Sequence, residues 1–239
     1  MLVTKNGYKI IFIHMPKTAG TSIESCLGAR VDGGIIKHRH KSLDYILQSE
    51  KSDRKDYFVF TVVRNTYERF WSSYLHHIKP DGGIKMSFKD YVHHLKNYHN
   101  NPDEYILGDG TLTDDPSTYK PWIYLKGTEP SQVELAGYRI SHIQHFEKLD
   151  YWISDLDSLD YILHFNSLAK DYEHLKNKFS LGPLVHKGPN PLKFRQQRDG
   201  ALIRQNNTLQ DYRLNYTTEL KSIIEEIHGD EIEYFKYEF

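Results

Sequence analysis

The sequence predicts an α/β fold with a central, mainly parallel sheet flanked by helices, and three observations carry the prediction. Tyr8-Lys9-Ile10-Ile11-Phe12-Ile13 and Tyr57-Phe58-Val59-Phe60-Thr61-Val62-Val63 are short apolar runs rich in β-branched residues, the type that forms strands buried on both faces. Apolar residues recur at helical spacing after each run, and strands that alternate with helices build parallel sheets. The 239 residues contain no internal repeat and no low-complexity linker, so one domain over residues 1–239 is expected.

In order along the chain, Tyr8–Ile13 is the first strand. A helix from Ser22 to about Leu27 follows, with Thr21 and Ser22 as N-cap types and Gly28 as its stop. Asp32-Gly33-Gly34 is a turn. The polar cluster His38-Arg39-His40-Lys41-Ser42 leads into a short helix with Leu43, Ile46 and Leu47 on one side. After the second strand, Tyr67, Phe70, Trp71, Tyr74, Leu75 and Ile78 mark a helix that stops near Pro80-Asp81-Gly82-Gly83. Ser87, with Asp90 three residues on, caps a helix bearing Phe88, Tyr91, Val92 and Leu95.

Residues 99–117 read as a loop, of a length that is often substrate-facing in α/β enzymes, with a lid and a plain surface loop both open; Pro121–Leu125 reads as a short helix and Gly137–Phe146 as a third strand. One further helix carries Leu149, Trp152, Ile153 and Leu156, and another Leu168, Tyr172, Leu175 and Phe179. Gly182–Arg198 is irregular and basic. Thr217 caps a late helix that Gly229 and Asp230 are expected to break, before a last short turn over Glu231–Tyr237.

Composition narrows the function. Charges are balanced at a net −1, which argues against a broad nucleic-acid-binding surface. The single cysteine, Cys26, excludes an internal disulfide framework and falls on the apolar side of the first helix, as a small core residue. The first residues lack a long apolar stretch, and no apolar window approaches about 18 residues. A cytoplasmic protein with no membrane span is expected.

The chemistry concentrates where the first two strands end. Between strand and helix, Pro16-Lys17-Thr18-Ala19-Gly20-Thr21-Ser22 combines a lysine, a glycine that permits close backbone approach and the N-terminus of a helix, whose unpaired N–H groups and dipole attract anions. A phosphate or sulfate suits it. A tight turn with an exposed lysine is the plain alternative. The order is not that of a Walker A loop, which places its lysine after the second glycine. Arg64 ends the second strand, and Ser72 lies eight residues further on, roughly on one helix face with Asn65 and Arg69. A guanidinium can grip a phosphate bidentately, so Arg64 with Ser72 makes a second anion site. A surface ion pair for Arg64 and no role for Ser72 are the alternatives. Two anion sites at one sheet edge suit a ligand with two phosphate-like groups.

These residues carry a resemblance. His14-Met15-Pro16-Lys17-Thr18-Ala19-Gly20-Thr21-Ser22 resembles the 5′-phosphosulfate loop of the PAPS-dependent sulfotransferases. Val63 to Tyr74 is similar to their 3′-phosphate motif. The branch it looks most like is that of carbohydrate sulfotransferases such as heparan sulfate 2-O-sulfotransferase and its bacterial relatives. His145-Phe146-Glu147-Lys148-Leu149 looks like the family's third strand and following turn, and Asp230 to Tyr237 like its C-terminal signature.

The resemblance implies a P-loop-like three-layer fold, PAPS as sulfuryl donor and PAP as product. By matching positions, Lys17 holds the 5′-phosphosulfate and stabilises the leaving oxygen. Pro16, Thr18, Ala19, Gly20, Thr21 and Ser22 form the cradle, and Arg64 and Ser72 hold the 3′-phosphate. His186-Lys187-Gly188 is similar to the basic loop over the 3′ end, with Lys187 and Gly188 as binding residues and a histidine where an arginine is common. His40 is the implied general base, with His38 as competitor and Glu24 as a more remote one. No metal is expected. The implied acceptor is a hydroxyl, of a saccharide on the family branch. A small-molecule kinase on the related fold is the first rival, opposed by the missing Walker A order. A catalytically inactive nucleotide-binding module is the second. Oligomeric state is not legible in the sequence.

Overall fold

A computed structural model describes residues 1–28, 38–78, 86–108, 122–125, 141–185 and 211–239. In chain order the elements are β1 (Leu2–Lys5), β2 (Tyr8–Ile13), α1 (Gly20–Cys26), α2 (Leu43–Glu50), β3 (Phe58–Val63), α3 (Thr66–His77), α4 (Phe88–Asn100), β4 (Tyr105–Gly108), β5 (Trp122–Leu125), β6 (Ser141–His142), α5 (Leu149–Trp152), β7 (Tyr161–His164), α6 (Leu168–Phe179) and α7 (Thr218–Phe235). They gather into two compact units. Among the described residues, one holds 1–28, 38–64 and 147–185, and the other holds 65–78, 86–108, 122–125, 141–146 and 211–239.

The first unit is built on a four-stranded, mostly parallel sheet in the order β1-β2-β3-β7. β2 and β3 run parallel with Ile13 opposite Thr61, and β3 and β7 run parallel with Val63 opposite His164. One face presents Ile10, Phe12, Phe60, Val62 and Leu163 to Ile23 of α1, to Leu27 at its C-cap and to Tyr172, Leu175 and Phe179 of α6. Ile11, Ile13, Val59, Thr61 and Val63 on the opposite face are buried too. Burial on both faces is why these strands read as continuous apolar runs rather than as an alternation.

β1 is an antiparallel edge strand that the sequence reading passed over. Asn6 and Gly7 connect it to β2 with φ of 49° and 80°, the left-handed pair a tight hairpin turn requires. The third parallel strand also corrects the expectation. It is Tyr161–His164, not Gly137–Phe146. Of the latter stretch, Ser141–His142 pairs with β5 in a separate sheet, and Ile143–His145 forms a 3₁₀ turn.

In the second unit, Asn65 caps α3 by accepting the Tyr67 N–H, and Ser87 and Asp90 form the expected capping box at the start of α4. Tyr67, Phe70, Trp71, Tyr91, Val92, Leu95, Ile223, Ile224 and Ile227 make one core from α3, α4 and α7. β4, β5 and β6 pair antiparallel. Further expectations are corrected here. Trp122–Leu125 is a strand, because its backbone pairs with Tyr105–Gly108, and β4 occupies part of the 99–117 stretch read as a loop. The late helix is interrupted at His228 (φ −118°, ψ 22°), one residue before the expected break at Gly229-Asp230, but a second helical stretch then runs on to Phe235 where only a short turn was expected.

Candidate active site

The parallel register brings three strand ends of the first unit to one edge. β2 leads into His14–Lys17, β3 into Arg64 and β7 into Phe165. The carboxyl edge of a parallel sheet is where such folds bind ligands. Arg64 donates from Nη1 to the Lys17 carbonyl at 2.8 Å, and its guanidinium lies over the Phe165 ring, 4.0 Å from the centroid. The two basic residues predicted from separate motifs therefore meet, through the backbone of the loop that carries Lys17.

The loop is tightly made. Lys17 and Ala19 both adopt left-handed backbone, with φ of 65° and 67°. That conformation is costly for residues with a Cβ and concentrates at functional sites. Thr18 is fully buried and donates its hydroxyl to the Met15 carbonyl at 2.9 Å. Ala19, not Thr21 or Ser22, is the N-cap of α1, and its carbonyl accepts the Ser22 N–H at 2.9 Å. The helix starts earlier than the side-chain cap types suggested. Pro16, Gly20 and Ser22 are buried, whereas Lys17, Ala19 and Thr21 are half-buried.

Gly20 has a reason that the sequence did not disclose. A Cβ built on it would overlap the imidazole of His14. The glycine is needed because a side chain of this protein packs on its Cα. His14 in turn bonds through Nδ1 to Glu24 Oε1 of α1 at 2.5 Å, and Arg39 Nε donates to the same oxygen at 2.8 Å.

Burial by itself would raise the Glu24 carboxyl. The hydrogen bonds and charges of His14 and Arg39 outweigh it and hold the group down at about 2. His14 is pushed down to about 4 by burial, which outweighs the support that the hydrogen bond and charge of Glu24 give an imidazolium, and the Arg39 charge lowers it further. The neutral His14 ring must then carry its proton on Nδ1, since the carboxylate can only accept. Glu24 is fully buried and bonded to His14 and Arg39, which removes its merit as a base.

His40 is buried, and its ring centroid lies 4.1 Å from that of His14. Its Nδ1 donates to the His14 carbonyl at 2.9 Å, so a neutral His40 ring has its lone pair on Nε2. His38, the competitor, has Nε2 only 2.6 Å from Glu50 Oε1 at the end of α2. Arg39, to which the sequence reading assigned no role, joins this segment to α1. The only signal was its place between two histidines.

Ser72 lies half-buried on α3 in the second unit. On the same helix Arg69 is buried against Glu231 at 2.9 Å. The neighbouring Ser73 hydroxyl sits in a buried network, 2.7 Å from Tyr91 OH and 2.5 Å from His145 Nδ1. Lys187 and Gly188 lie outside the described residues. Among the described residues no three or more His, Cys, Asp or Glu side chains form a group that could hold a metal ion, and no helix is long and apolar enough to cross a membrane.

The model of the sulfotransferase family matches residues 1–238. No curated protein and no solved structure matches the chain. A family match over nearly the whole length, laid over a strand–loop–helix unit that carries Lys17 with Arg64 fixed to its carbonyl, identifies the chain as a member of the sulfotransferase family, whose chemistry is sulfuryl transfer.

Proposed function

We propose that this protein transfers the sulfuryl group of PAPS to a hydroxyl, and that the acceptor is a saccharide. The observation that supports the reading best is the meeting of loop, cation and base at one sheet edge. Arg64 bonds to the Lys17 carbonyl, and His40 bonds to the His14 carbonyl. The residues present suit a sulfonucleotide. The loop offers a lysine, left-handed turns and a helix start to the phosphosulfate, and a second cation follows the neighbouring strand. We read residues 1–239 as one P-loop-like catalytic domain on this basis.

PAPS, when bound, supplies the sulfuryl group and departs as PAP. In this reading Lys17 holds the 5′-phosphosulfate and stabilises charge growing on the bridging oxygen. Pro16, Thr18, Ala19, Gly20, Thr21 and Ser22 shape the cradle. Thr18 does so from inside, through its bond to Met15. Arg64 and Ser72 are assigned to the 3′-phosphate, with Lys187 and Gly188 over the same end. Arg64 has a further task, to fix the loop backbone. His40 takes the acceptor proton on Nε2. Positioning and fixed charge carry most of the catalysis in such in-line displacements, and Lys17 supplies that charge without a metal ion. The saccharide assignment rests on the likeness to the carbohydrate branch.

Transfer of label from PAPS carrying a radioactive sulfuryl group to a pool of desulfated polysaccharide tests the reading. Lys17→Ala is expected to lose about 3 kcal/mol of transition-state stabilisation, roughly two orders of magnitude in rate, while keeping its fold. Undiminished transfer by that variant would remove Lys17 from the mechanism.

A further inference from the structure

The buried carboxylate of Glu24 is not absorbed by the donor loop or by the base. Its side chain is fully buried on α1, and a charge taken out of water survives there only with good partners. Among the described residues, His14 Nδ1 at 2.5 Å and Arg39 Nε at 2.8 Å meet the same carboxylate oxygen. The contacts continue past this trio. His14 gives its carbonyl to His40 Nδ1, and His40 follows Arg39 in the chain. Glu24, His14, His40 and Arg39 therefore close a ring made of three hydrogen bonds and one peptide link.

The ring ties the end of β2, helix α1 and the segment 38–40 to one another. That segment needs tying. His38 and His40 both hold left-handed backbone, with φ of 59° and 53°, on either side of Arg39. Such conformations persist in residues with a Cβ when the surroundings over-determine them. Arg39 and His40 supply that constraint from the two bonds just named. His38 adds a third anchor, on Glu50.

We propose that Arg39, Glu24 and His14 are positioning residues that hold His40 in its Nδ1–H tautomer beside the donor loop. The catalytic part of this inference rests on the sulfuryl-transfer reading, with His40 as the base. The structural part, that Arg39 fixes the His40 ring through Glu24 and His14, does not. Arg39 is the informative residue, because its side chain is a quarter exposed and can be changed with little loss of core.

The test follows the imidazole nitrogens directly. Long-range proton–nitrogen spectra of the whole protein should show His14 and His40 both as Nδ1–H tautomers. Arg39→Gln should convert His40 to the Nε2–H form favoured by an unconstrained ring, and Arg39→Lys should restore part of the Nδ1–H population. An unchanged His40 tautomer in Arg39→Gln overturns the proposal. If Arg39→Gln does not fold, Glu24→Gln is read in the same way, with the same two outcomes.

Kinetics then separate positioning from mere support. With labelled PAPS and the desulfated polysaccharide pool, Arg39→Gln should lower kcat about tenfold to a hundredfold, with KM for PAPS within about threefold. A kcat within about twofold of the parent protein overturns the positioning role even where the tautomer has moved. Failure of the unaltered protein to bind PAP would end the sulfuryl-transfer reading instead, and the spectra would still decide whether Arg39 fixes His40.

Discussion

At the scale of single residues, Gly20 shows how two opposing magnitudes are weighed. Inside a helix, glycine to alanine gains about 1 kcal/mol of intrinsic propensity. At Gly20 the added methyl would enter the space of the His14 ring, and overpacking of that kind costs about 1–3 kcal/mol. The steric term wins. Gly20→Ala should lower the unfolding free energy by roughly 2 kcal/mol, measured by urea denaturation. The same change made in a His14→Ala background should cost much less. An equal cost in both backgrounds would show that the ring is not what demands the glycine.

The His14–Glu24 pair also gives the protein an acid-sensitive component with a defined sign. The folded His14 value, about 4, lies below the ordinary 6.5, so the unfolded chain takes up that proton first. Stability is therefore lost as pH falls from 6.5 towards 4, at no more than about 1.4 kcal/mol per pH unit. Glu24, folded at about 2 against 4.5, contributes stability that is present above 4.5 and is lost as pH falls from there towards 2. A His14→Gln variant should lack the first of these losses. Urea midpoints measured at intervals between pH 7 and pH 4 check this. Parallel curves for the two proteins would contradict it.

At the scale of elements, the caps are the devices whose strength can be stated. Ser87 is exposed, accepts the Asp90 N–H at 3.1 Å and is bonded in return by the Asp90 side chain. Ser87→Ala should cost about 1 kcal/mol of stability and leave sulfuryl transfer unchanged. A thermal melt and a transfer assay on the same sample test both halves. A loss of transfer at temperatures where the variant is fully folded would give Ser87 a role beyond the cap.

Elements were legible where one signal dominated. β2 and β3 stood out because both faces of the sheet are buried, and α4 because its capping box and apolar stripe agree. β7 was missed because four residues bounded by Asp160 and a 3₁₀ turn carry no periodicity to separate strand from helix. β1 was missed although Asn6-Gly7 announced a hairpin turn, since its burial pattern is mixed and only the pairing with β2 makes it a strand. The helix expected over Pro121–Leu125 failed for the same reason, as pairing with β4 decides it. In the candidate site, the loop and Arg64 were readable as charges at strand ends. The ring through Glu24 and Arg39 was not, because nothing local in a sequence announces that Arg39 bonds a carboxylate 15 residues before it.

At the scale of the whole molecule, the balanced net charge of −1 offers no broad field to steer a polyanion, so recognition of the proposed sulfonucleotide would fall to local groups. Each of the two compact units carries its own apolar core, one on the parallel sheet and one among α3, α4 and α7. The family match spans both. The residues assigned to the donor come from both as well, with Lys17 and Arg64 in the first and Ser72 in the second. Isothermal titration with PAP and with ATP, each with and without Mg²⁺, tests the central claim most directly. The account predicts tight PAP binding that does not depend on Mg²⁺ and weaker binding of ATP, whereas preferred binding of ATP that requires Mg²⁺ would contradict it.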